Sequence, residues 1–426
     1  MKNSLRIACL MCAMLLILAG CGGAATPAAS SAGNTAASQP AGSQEAGGDF
    51  PDTVKIAFIY PLSGANAESG KMCTDGANLA VKHINEAGGI QSMGGAKVEL
   101  VIYDGTSDPA QGKNVAERAL SDKSILAAVG SGTSALTLPM LPAFEKARVP
   151  LVTFTNSKDL TNQGYKYIFS TTNRGSDLGL YNAMFIQHLN DSKGANIKKV
   201  AIIYENSANG ISMAEGARGK AKDMGLEIVF DESYPAGNVD FAPMVTAMKN
   251  SGADAVLPYG YMQEAKLIFS TMRDLSYFPI IMGNSNWPSY YEALGEATNG
   301  VIAVGNWNFS TTIVQNNPEY QAIVDGFEKE YGYYMTEQAG PAYDGVRIIA
   351  AALELNPTTD STVLRDTISS NEFQGMQLSG AYKFNEAGEN VNGVPAVTQW
   401  QYGKPVCVFP EEFSVNEYIN PSEFKK

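Results

Sequence analysis

The sequence predicts an α/β protein with two doubly wound parallel-sheet lobes. From residue 54 onward, short β-branched runs alternate with helical stretches, which is typical of parallel sheets with helices on both faces. The alternation restarts after "STTNRG", at residues 170–175. A body of about 370 residues is also too long for one hydrophobic core, so two lobes of similar size are expected.

The first series of elements lies before residue 173. Helices are predicted near 109–122 and 138–147, and an earlier one over "GKMCTDGANLAVKHINEAGG", where Gly88 and Gly89 form a stop signal. Strands are predicted at "VKIAFIY", "KVELVIYD", "ILAAVG" and "PLVTF".

The second series follows with strands at "KVAIIYE", "EIVFDESY", "AVLPYG" and "PIIMG". Helices are predicted between them at 210–225, 241–250 and 262–274. In open parallel sheets, ligands bind beyond the carboxyl ends of the strands. The residues that follow each strand are therefore the first candidates for a site.

The first fifty residues predict export and anchoring. Lys2 and Arg6 precede an apolar run over 7–19, which is too short to span a bilayer and has the pattern of a secretory signal peptide. Leu18-Ala19-Gly20-Cys21 resembles the lipobox of bacterial lipoproteins, which implies a signal peptide over 1–20 and a lipid on Cys21. Residues 22–50 are small and polar, so 21–53 is predicted to be the lipidated cysteine followed by a disordered tether.

Charge and residue usage exclude several functions. Without Lys2 and Arg6, 28 basic residues face 43 acidic ones, a formal charge of −15, which argues against nucleic acid or an anionic membrane surface as partner. Two unpaired buried thiols are expected at Cys73 and Cys407, although the compartment permits a disulfide. The chain has two histidines, and after the predicted signal peptide it has no CxxC motif, so neither a metal nor a cofactor is expected.

The stretch "AAVGSGTSALTLP" follows a strand and contains Gly130 and Gly132. The glycines approximate a dinucleotide-binding fingerprint, but the acidic residue expected about 20 positions on is missing. Ser134 and Thr137, with nearby backbone N–H groups, can hold a carboxylate at the start of the next helix. The alternative is that these hydroxyls only cap the helix.

The next strand end, "VTFTNSKDLT", places Thr155, Asn156 and Ser157 at the equivalent height. Two neighbouring parallel strands that both end in small polar residues predict a polar shelf. Turn chemistry alone also favours Asn and Ser at this position.

Six stretches together resemble the solute-binding receptors of branched-chain amino-acid ABC transporters, and the likeness covers nearly all of 54 to about 410. These receptors have the type I periplasmic binding protein fold. The resemblance implies three crossover hinge segments, near 172–174, 304–307 and 380–384. It places the N-terminal lobe at 54–172 plus 307–380 and the C-terminal lobe at 173–306 plus 381–426. The stretches are "PLSGANAESG", "GANLAVKHINEAGGI", "YDGTSDP", "VGSGTSALTLP", "VTFTNSKDLT" and "PAYDGVRIIAAAL".

The resemblance also implies a ligand site for the α-carboxylate and α-ammonium of an amino acid, closed by a tyrosine of the second lobe. The residues predicted to bind ligand are Ser69, Ser134, Ala135, Thr155, Asn156, Ser157, Asn209, Tyr261 and Ser285.

Three of these positions depart from the family pattern. The acid that pairs with the ammonium aligns with Ser285, and two aromatic positions align with Asn209 and Ser69. Glu264, Glu205 or Asp177 can supply the missing charge, with both glutamates expected on solvated faces. Four aromatic residues, expected mainly to pack, can also stack on a ligand: Tyr60, Trp287, Tyr290 and Trp307.

The expected function is that of a monomeric receptor anchored through Cys21 on the extracellular face of a single-membrane bacterium. It captures an amino acid, branched-chain or related, and delivers it to ABC permease subunits. The alternatives are an amide, an aromatic or aliphatic carboxylate as ligand, or ligand sensing for a signalling partner. An enzyme is not expected, because neither histidine follows a strand and no G-x-S-x-G motif occurs.

Overall fold

The computed structural model describes residues 50–284 and 286–424, which form a five-stranded sheet, a seven-stranded sheet and a two-stranded ribbon. The strands are β1 (Thr53–Tyr60), β2 (Lys97–Asp104), β3 (Ile125–Gly130), β4 (Leu151–Thr153), β5 (Ile168–Ser170), β6 (Lys199–Glu205), β7 (Glu227–Tyr234), β8 (Ala255–Tyr259), β9 (Ile280–Gly283), β10 (Ile302–Gly305), β11 (Glu372–Gln374), β12 (Ala381–Lys383), β13 (Ala396–Gln401) and β14 (Lys404–Phe409). The helices are α1 (Ala67–Glu86), α2 (Gly112–Ser121), α3 (Ser134–Thr137), α4 (Leu141–Ala147), α5 (Gly175–Lys193), α6 (Ala208–Asp223), α7 (Ala242–Ser251), α8 (Met262–Asp274), α9 (Pro288–Leu294), α10 (Thr312–Gln315), α11 (Pro318–Tyr331), α12 (Ala339–Leu355) and α13 (Ser361–Ser370).

The first sheet has the order β2-β1-β3-β4-β5, and all of its strands are parallel. Successive residues of a strand point to opposite faces. Phe58 accordingly packs with α1 and α12 on one face, whereas Ile59 packs with α2 and α4 on the other. Both faces are covered, as the continuous apolar strands predict. This sheet and its helices form the first lobe.

The second sheet has the order β14-β13-β10-β9-β8-β6-β7. Its strands β6–β10 are parallel, and Ile202 and Ile203 again enter two separate cores on opposite faces. The hairpin β13–β14 adds an antiparallel edge that the sequence prediction did not include. Its two-residue turn, Tyr402-Gly403, has φ of 51° and 90°, the left-handed pair that a tight hairpin favours. This sheet and its helices form the second lobe, and the prediction of two doubly wound lobes is confirmed.

The chain passes between the lobes more than once. It leaves the first sheet after Ser170 and enters α5 of the second lobe at Gly175. After β10 it returns, because Trp307 and helices α11–α13 pack in the core of the first lobe. The predicted ranges of the lobes and the hinge role of the crossover segments stay predictions.

Several predictions concern the N-terminal segment, membrane-spanning helices and the cysteines. The first strand begins at Thr53, and Phe50 already packs against the core, so the tether predicted over 21–53 ends a few residues earlier. The predicted lipidation site, Cys21, lies outside the described residues. Within the described ranges no helix is long and apolar enough to cross a membrane, and Cys73 and Cys407 are both free and buried.

Candidate functional site

A cleft between the lobes contains about 690 Å³ of empty space, part of it open to solvent. Most of its lining follows strands β1, β3 and β4 of the first lobe or β6, β8 and β9 of the second. These are the carboxyl ends of parallel strands, where ligands bind in such sheets. The lining residues are Asn66, Ser69, Gly132, Thr133, Ser134, Phe154, Thr155, Asn156, Leu178, Asn209, Tyr261, Met262, Asn284, Trp287, Val304, Glu337 and Gln338.

The first-lobe side of the cleft carries hydroxyls and amides. Ser134 begins α3, and its Oγ accepts a hydrogen bond of 3.2 Å from the backbone N–H of Ser157. Because that bond uses the oxygen as acceptor, the Ser134 O–H remains a donor for a ligand. Thr155 and Asn156 follow β4 beside it, and Asn156 Oδ1 accepts from Asn306 Nδ2 at 3.0 Å.

Ala135 and Ser157 do not line the cleft. Ser157 faces a neighbouring hollow, and its hydroxyl accepts from Asp159 N–H at 3.2 Å, which caps a short 3₁₀ turn. The Ser157 hydroxyl thus stabilises a turn, which is a common role of small polar residues after a strand. Ser69 lines the cleft from α1.

The second-lobe side places two predicted residues at helix starts. Asn209 lies in the first turn of α6, after β6, and Tyr261 immediately precedes α8, after β8. Burial raises the pKa of Tyr261, and nearby Glu205 and Glu264 raise it further. The Tyr261 hydroxyl is therefore neutral and available as a hydrogen-bond donor. Ser285, the other residue predicted on this side, lies outside the described residues.

Three buried polar atoms of cleft residues have no hydrogen-bond partner within 50–284 and 286–424: Asn209 Oδ1, Trp287 Nε1 and Gln338 Oε1. Each of these side chains is less than 10% exposed. An unsatisfied buried polar group costs about 1–3 kcal/mol. A ligand that offers two donors and one acceptor would remove these costs, so the cleft is suited to a small polar molecule.

Glu337 and Gln338 were missed by the sequence analysis. They come directly before α12, not after a strand, and they enter the cleft from the first lobe. The only sequence signal was their position four and three residues upstream of the family stretch "PAYDGVRIIAAAL".

Two close contacts hold the start of α12 at the cleft. A Cβ on Gly76 of α1 would lie 2.1 Å from the carbonyl oxygen of Ala339, and one on Gly340 would lie 2.5 Å from the Trp307 ring. No side chain fits at such distances, so the two glycines let α12 approach α1 and Trp307 closely. Glu337 and Gln338 are thereby fixed at the first-lobe side.

The carboxyl group of Glu337 is held by amides. Its Oε1 accepts from the backbone N–H of Asn306 at 3.0 Å, and its Oε2 accepts from Asn286 Nδ2 at 3.4 Å. Burial raises the pKa of Glu337 to about 7, against the lowering effect of these hydrogen bonds. Glu337 is only half-buried, and it lines the cleft. It can therefore receive a cationic group of a ligand.

The three acids predicted as possible replacements for the carboxylate missing at position 285 do not line the cleft. Glu205 and Glu264 are 3% and 6% exposed, so the prediction that they lie on solvated faces is wrong. They belong to the interior of the second lobe, where Glu264 Oε1 accepts from Gly237 N–H at 3.0 Å. Neither lines the cleft, and Asp177 lines the neighbouring hollow.

Of the four aromatic candidates, Trp287 lines the cleft. Tyr60 and Trp307 are packed in the core of the first lobe, and Tyr290 packs against Phe269 and Trp400. Packing, the interpretation favoured from the sequence, is confirmed for these three. In the described part of the chain, no group of His, Cys, Asp and Glu is suited to hold a metal ion.

Comparison with known proteins agrees with the two-lobed fold. A family model described as periplasmic binding protein matches residues 53–404. The leucine-, isoleucine-, valine-, threonine- and alanine-binding protein of Pseudomonas aeruginosa is 28% identical over 352 residues, which are 82% of this chain and 90% of that protein.

Solved structures agree as well. The branched-chain amino-acid transporter substrate-binding protein LivJ of Streptococcus pneumoniae, in complex with isoleucine, has a TM-score of 0.74 and 27% identity and is matched over 85% of this chain and 99% of that one. A Rhodopseudomonas palustris solute-binding protein in complex with benzoate has a TM-score of 0.73 over 84% of this chain and 95% of that one. At 18% identity, that likeness shows the fold alone.

Proposed function

The chain belongs to the periplasmic binding protein family, and from this premise we propose that it captures an amino acid, branched-chain or related, and delivers it to an ABC transporter permease. The Pseudomonas relative is named for five aliphatic or small amino acids, and the pneumococcal structure contains isoleucine. Both support an amino acid of this size as the ligand. Members of the family are solute-binding proteins and not enzymes.

The observation that carries the proposal is the lining of the cleft from both lobes. Ser134 and Thr155 face it from the first lobe, and Asn209 and Tyr261 face it from the second. A ligand that contacts both sides stabilises the closed arrangement, because its affinity is greater for that arrangement than for an open one.

The carboxylate of the amino acid binds at the first lobe. The O–H of Ser134 donates to it, as do the neighbouring backbone N–H groups after β4. Hydrogen bonds to a charged group are shorter and stronger than neutral ones, so these donors fix the orientation of the ligand.

Closure then brings the second lobe onto the ligand and excludes water. Tyr261 and Asn209 approach from helix starts, and the buried atoms that lack partners, such as Asn209 Oδ1, gain them from the ligand. The change is absorbed by the crossover segments, as in other hinge closures. The closed form is the one that the permease recognises.

The anchor proposed at Cys21 keeps the receptor near the permease. The tether proposed after Cys21 joins this anchor to the two lobes. Replacement of Cys21 by serine is expected to move the protein from the membrane fraction to the medium. Retention in the membrane fraction would contradict this assignment.

Ligand binding is tested by calorimetry and thermal unfolding of the purified protein. The probes are L-leucine, L-isoleucine, L-valine, L-threonine and L-alanine, each added alone. At 100 times Kd, a ligand adds about 2.7 kcal/mol to the free energy of unfolding, which raises Tm by a few degrees. If none of the five probes binds, the proposed function is wrong.

Ser134→Ala tests the assignment of the ligand carboxylate to Ser134, and Ser131→Ala is its control. Ser134→Ala is expected to weaken binding about 10- to 100-fold, because it removes a hydrogen bond to a charged group. Ser131 is fully buried, bonds to Thr137 Oγ1 at 2.7 Å and does not line the cleft, so Ser131→Ala affects stability alone. Equal affinities in the two variants would contradict the carboxylate assignment.

A further inference from the structure

The first lobe presents a carboxyl group to the cleft through Glu337. Its two oxygens accept from Asn306 N–H and Asn286 Nδ2, both neutral donors. No ion pair to Glu337 occurs among the described residues. The group is therefore a half-buried acid that no cation of the described chain neutralises.

Such a group is costly as a purely structural element. An ionised carboxylate removed from water without a cationic partner is strongly disfavoured, and burial accordingly raises the pKa of Glu337 to about 7. The two amide contacts offset part of that cost. The remaining unfavourable energy is relieved when a cation enters the cleft.

Among the described residues, no second carboxylic acid lines the cleft. Serine occupies position 285, where the family resemblance implies an acid. Glu205 and Glu264 lie in the second-lobe interior and do not line the cleft. Among the described lining residues Glu337 is the only carboxylic acid.

We propose that Glu337 of the first lobe binds the ammonium group of the captured amino acid, in place of an acid of the second lobe. This inference rests on the proposed function and specifies its ligand as a free α-amino acid, since a des-amino carboxylate or an N-acylated amino acid lacks the cation. Both charged groups of the ligand then bind to the first lobe, and the second lobe contributes neutral groups on closure.

The neighbouring residue fits the same role. An ammonium group has three N–H donors, and Glu337 satisfies one or two of them. Gln338 Oε1 is buried and accepts no hydrogen bond from the described chain, so it is available for another. The consecutive pair thus offers charge and a further acceptor at one end of the cleft.

The first experiment compares Glu337→Gln with Glu205→Gln by calorimetry, with L-isoleucine and its des-amino analogue 3-methylpentanoate as probes. The two glutamates are matched, because burial raises the pKa of each to about 7, but only Glu337 lines the cleft. Glu337→Gln is expected to weaken isoleucine binding at least 30-fold and to reduce its preference over 3-methylpentanoate to less than threefold. Glu205→Gln should retain both affinity and preference within threefold.

The outcomes separate this inference from the proposed function. Tight binding of isoleucine by Glu337→Gln overturns the role of Glu337 and leaves amino-acid capture intact. A large loss in Glu205→Gln alone assigns the ammonium to the second lobe and also overturns it. If isoleucine and the other four amino acids fail to bind the unaltered protein, both proposals are wrong.

Gly305→Ala tests whether the position of the Glu337 carboxyl group matters when its charge is unchanged. A Cβ on Gly305 would lie 2.3 Å from Glu337 Oε2, so the flexible carboxyl end must shift while the fold persists. We expect at least tenfold weaker isoleucine binding with unchanged Tm of the free protein, to within 3 °C. Unchanged affinity contradicts the inference.

Proton release gives a readout that a structural role would not affect. The groups that face the carboxyl are the amides of Asn286 and Asn306, and no charged side chain contributes to its raised pKa. At pH 6.5 the carboxyl of Glu337 in the free protein is therefore largely protonated, and an arriving ammonium displaces the proton. Calorimetry of isoleucine binding in two buffers of different ionisation enthalpy should show this release in the unaltered protein and not in Glu337→Gln. Equal proton release in both proteins overturns the assignment.

Discussion

Asn306 and Asn156 are joined by a hydrogen bond of 3.0 Å from Nδ2 of the former to Oδ1 of the latter. Asn306 Oδ1 accepts in turn from the backbone N–H of Asn173 at 2.8 Å, and its own N–H donates to Glu337. One buried amide therefore connects two residues of the cleft with two segments that pass between the lobes. The proposed ligand contacts and the predicted hinge segments therefore share this group.

Asn306→Ala is expected to lower the free energy of unfolding by about 1–3 kcal/mol, because the carbonyl of Asn156 and the N–H of Asn173 lose their partner. It should also weaken isoleucine binding about tenfold, since Asn156 is no longer held in place. Denaturant unfolding and calorimetry measure the two effects. The matched control is Asn308→Ala, a buried asparagine that bonds Pro405 O at 2.8 Å and does not line the cleft. It should lose stability alone, and equal weakening of binding in both variants would contradict the prediction.

Much of the lining of the cleft was predictable, because the carboxyl ends of parallel strands lie together at one edge of each sheet. Ser134, Thr155 and Tyr261 each follow a strand of a parallel sheet. The alternation of strands and helices along the chain therefore predicts each of them at the carboxyl edge of its own sheet. Ser157 also follows a strand, but its hydroxyl caps a turn, and sequence alone does not separate these two roles.

Glu337 was not predictable in this way. It precedes a helix, and its approach to the cleft depends on the close packing of α12 against α1 at Gly76, a contact between residues more than 250 positions apart. Glu205 and Glu264 show the converse. Their type favours a solvated face, whereas the structure buries both: Glu264 Oε1 accepts from Gly237 N–H, and Glu205 Oε2 has no hydrogen-bond partner among the described residues.

Asn209→Leu is expected to have opposite effects on stability and binding. Its Oδ1 has no partner in the described part of the free protein, so an apolar side chain removes a desolvation cost and should raise the free energy of unfolding by about 1 kcal/mol. Isoleucine binding should weaken at least tenfold. Asn182→Leu is the contrast, because Asn182 Nδ2 donates to Met282 O at 3.0 Å and its loss should destabilise the protein. Loss of stability in Asn209→Leu would indicate a structural role instead.

The stability of the free protein is expected to fall as pH rises from 5 to 7. Burial raises the pKa of Glu337 and Glu205 to about 7 and that of Asp344 to about 6, above the ordinary value near 4–4.5. Between these values the folded chain binds protons that the unfolded chain has released, so deprotonation opposes folding. Each glutamate should account for about 1–2 kcal/mol after solvent relaxation. Denaturant unfolding at pH 5, 6, 7 and 8 measures the slope.

The two glutamine variants identify the groups responsible for this slope. Glu337→Gln and Glu205→Gln should each make the decrease smaller, and saturating isoleucine should reduce only the share of Glu337, because the ammonium favours its ionised form. A slope that is identical in all three proteins would show that other groups cause it.

Helices α5 and α6 of the second lobe approach each other at Gly216. A Cβ there would lie 1.8 Å from the carbonyl oxygen of Ser176 on α5, whereas a Cβ on Gly219 of the same helix has no atom within 4 Å. Gly216→Ala must push the helices apart and should cost about 1–3 kcal/mol. Gly219→Ala should instead gain up to about 1 kcal/mol, because alanine favours the helix more than glycine does. Denaturant midpoints of the two variants measure this difference. Since α6 also carries Asn209, Gly216→Ala should weaken isoleucine binding as well. If Gly216→Ala were as stable and bound isoleucine as tightly as Gly219→Ala, the two helices would not be in close contact in solution.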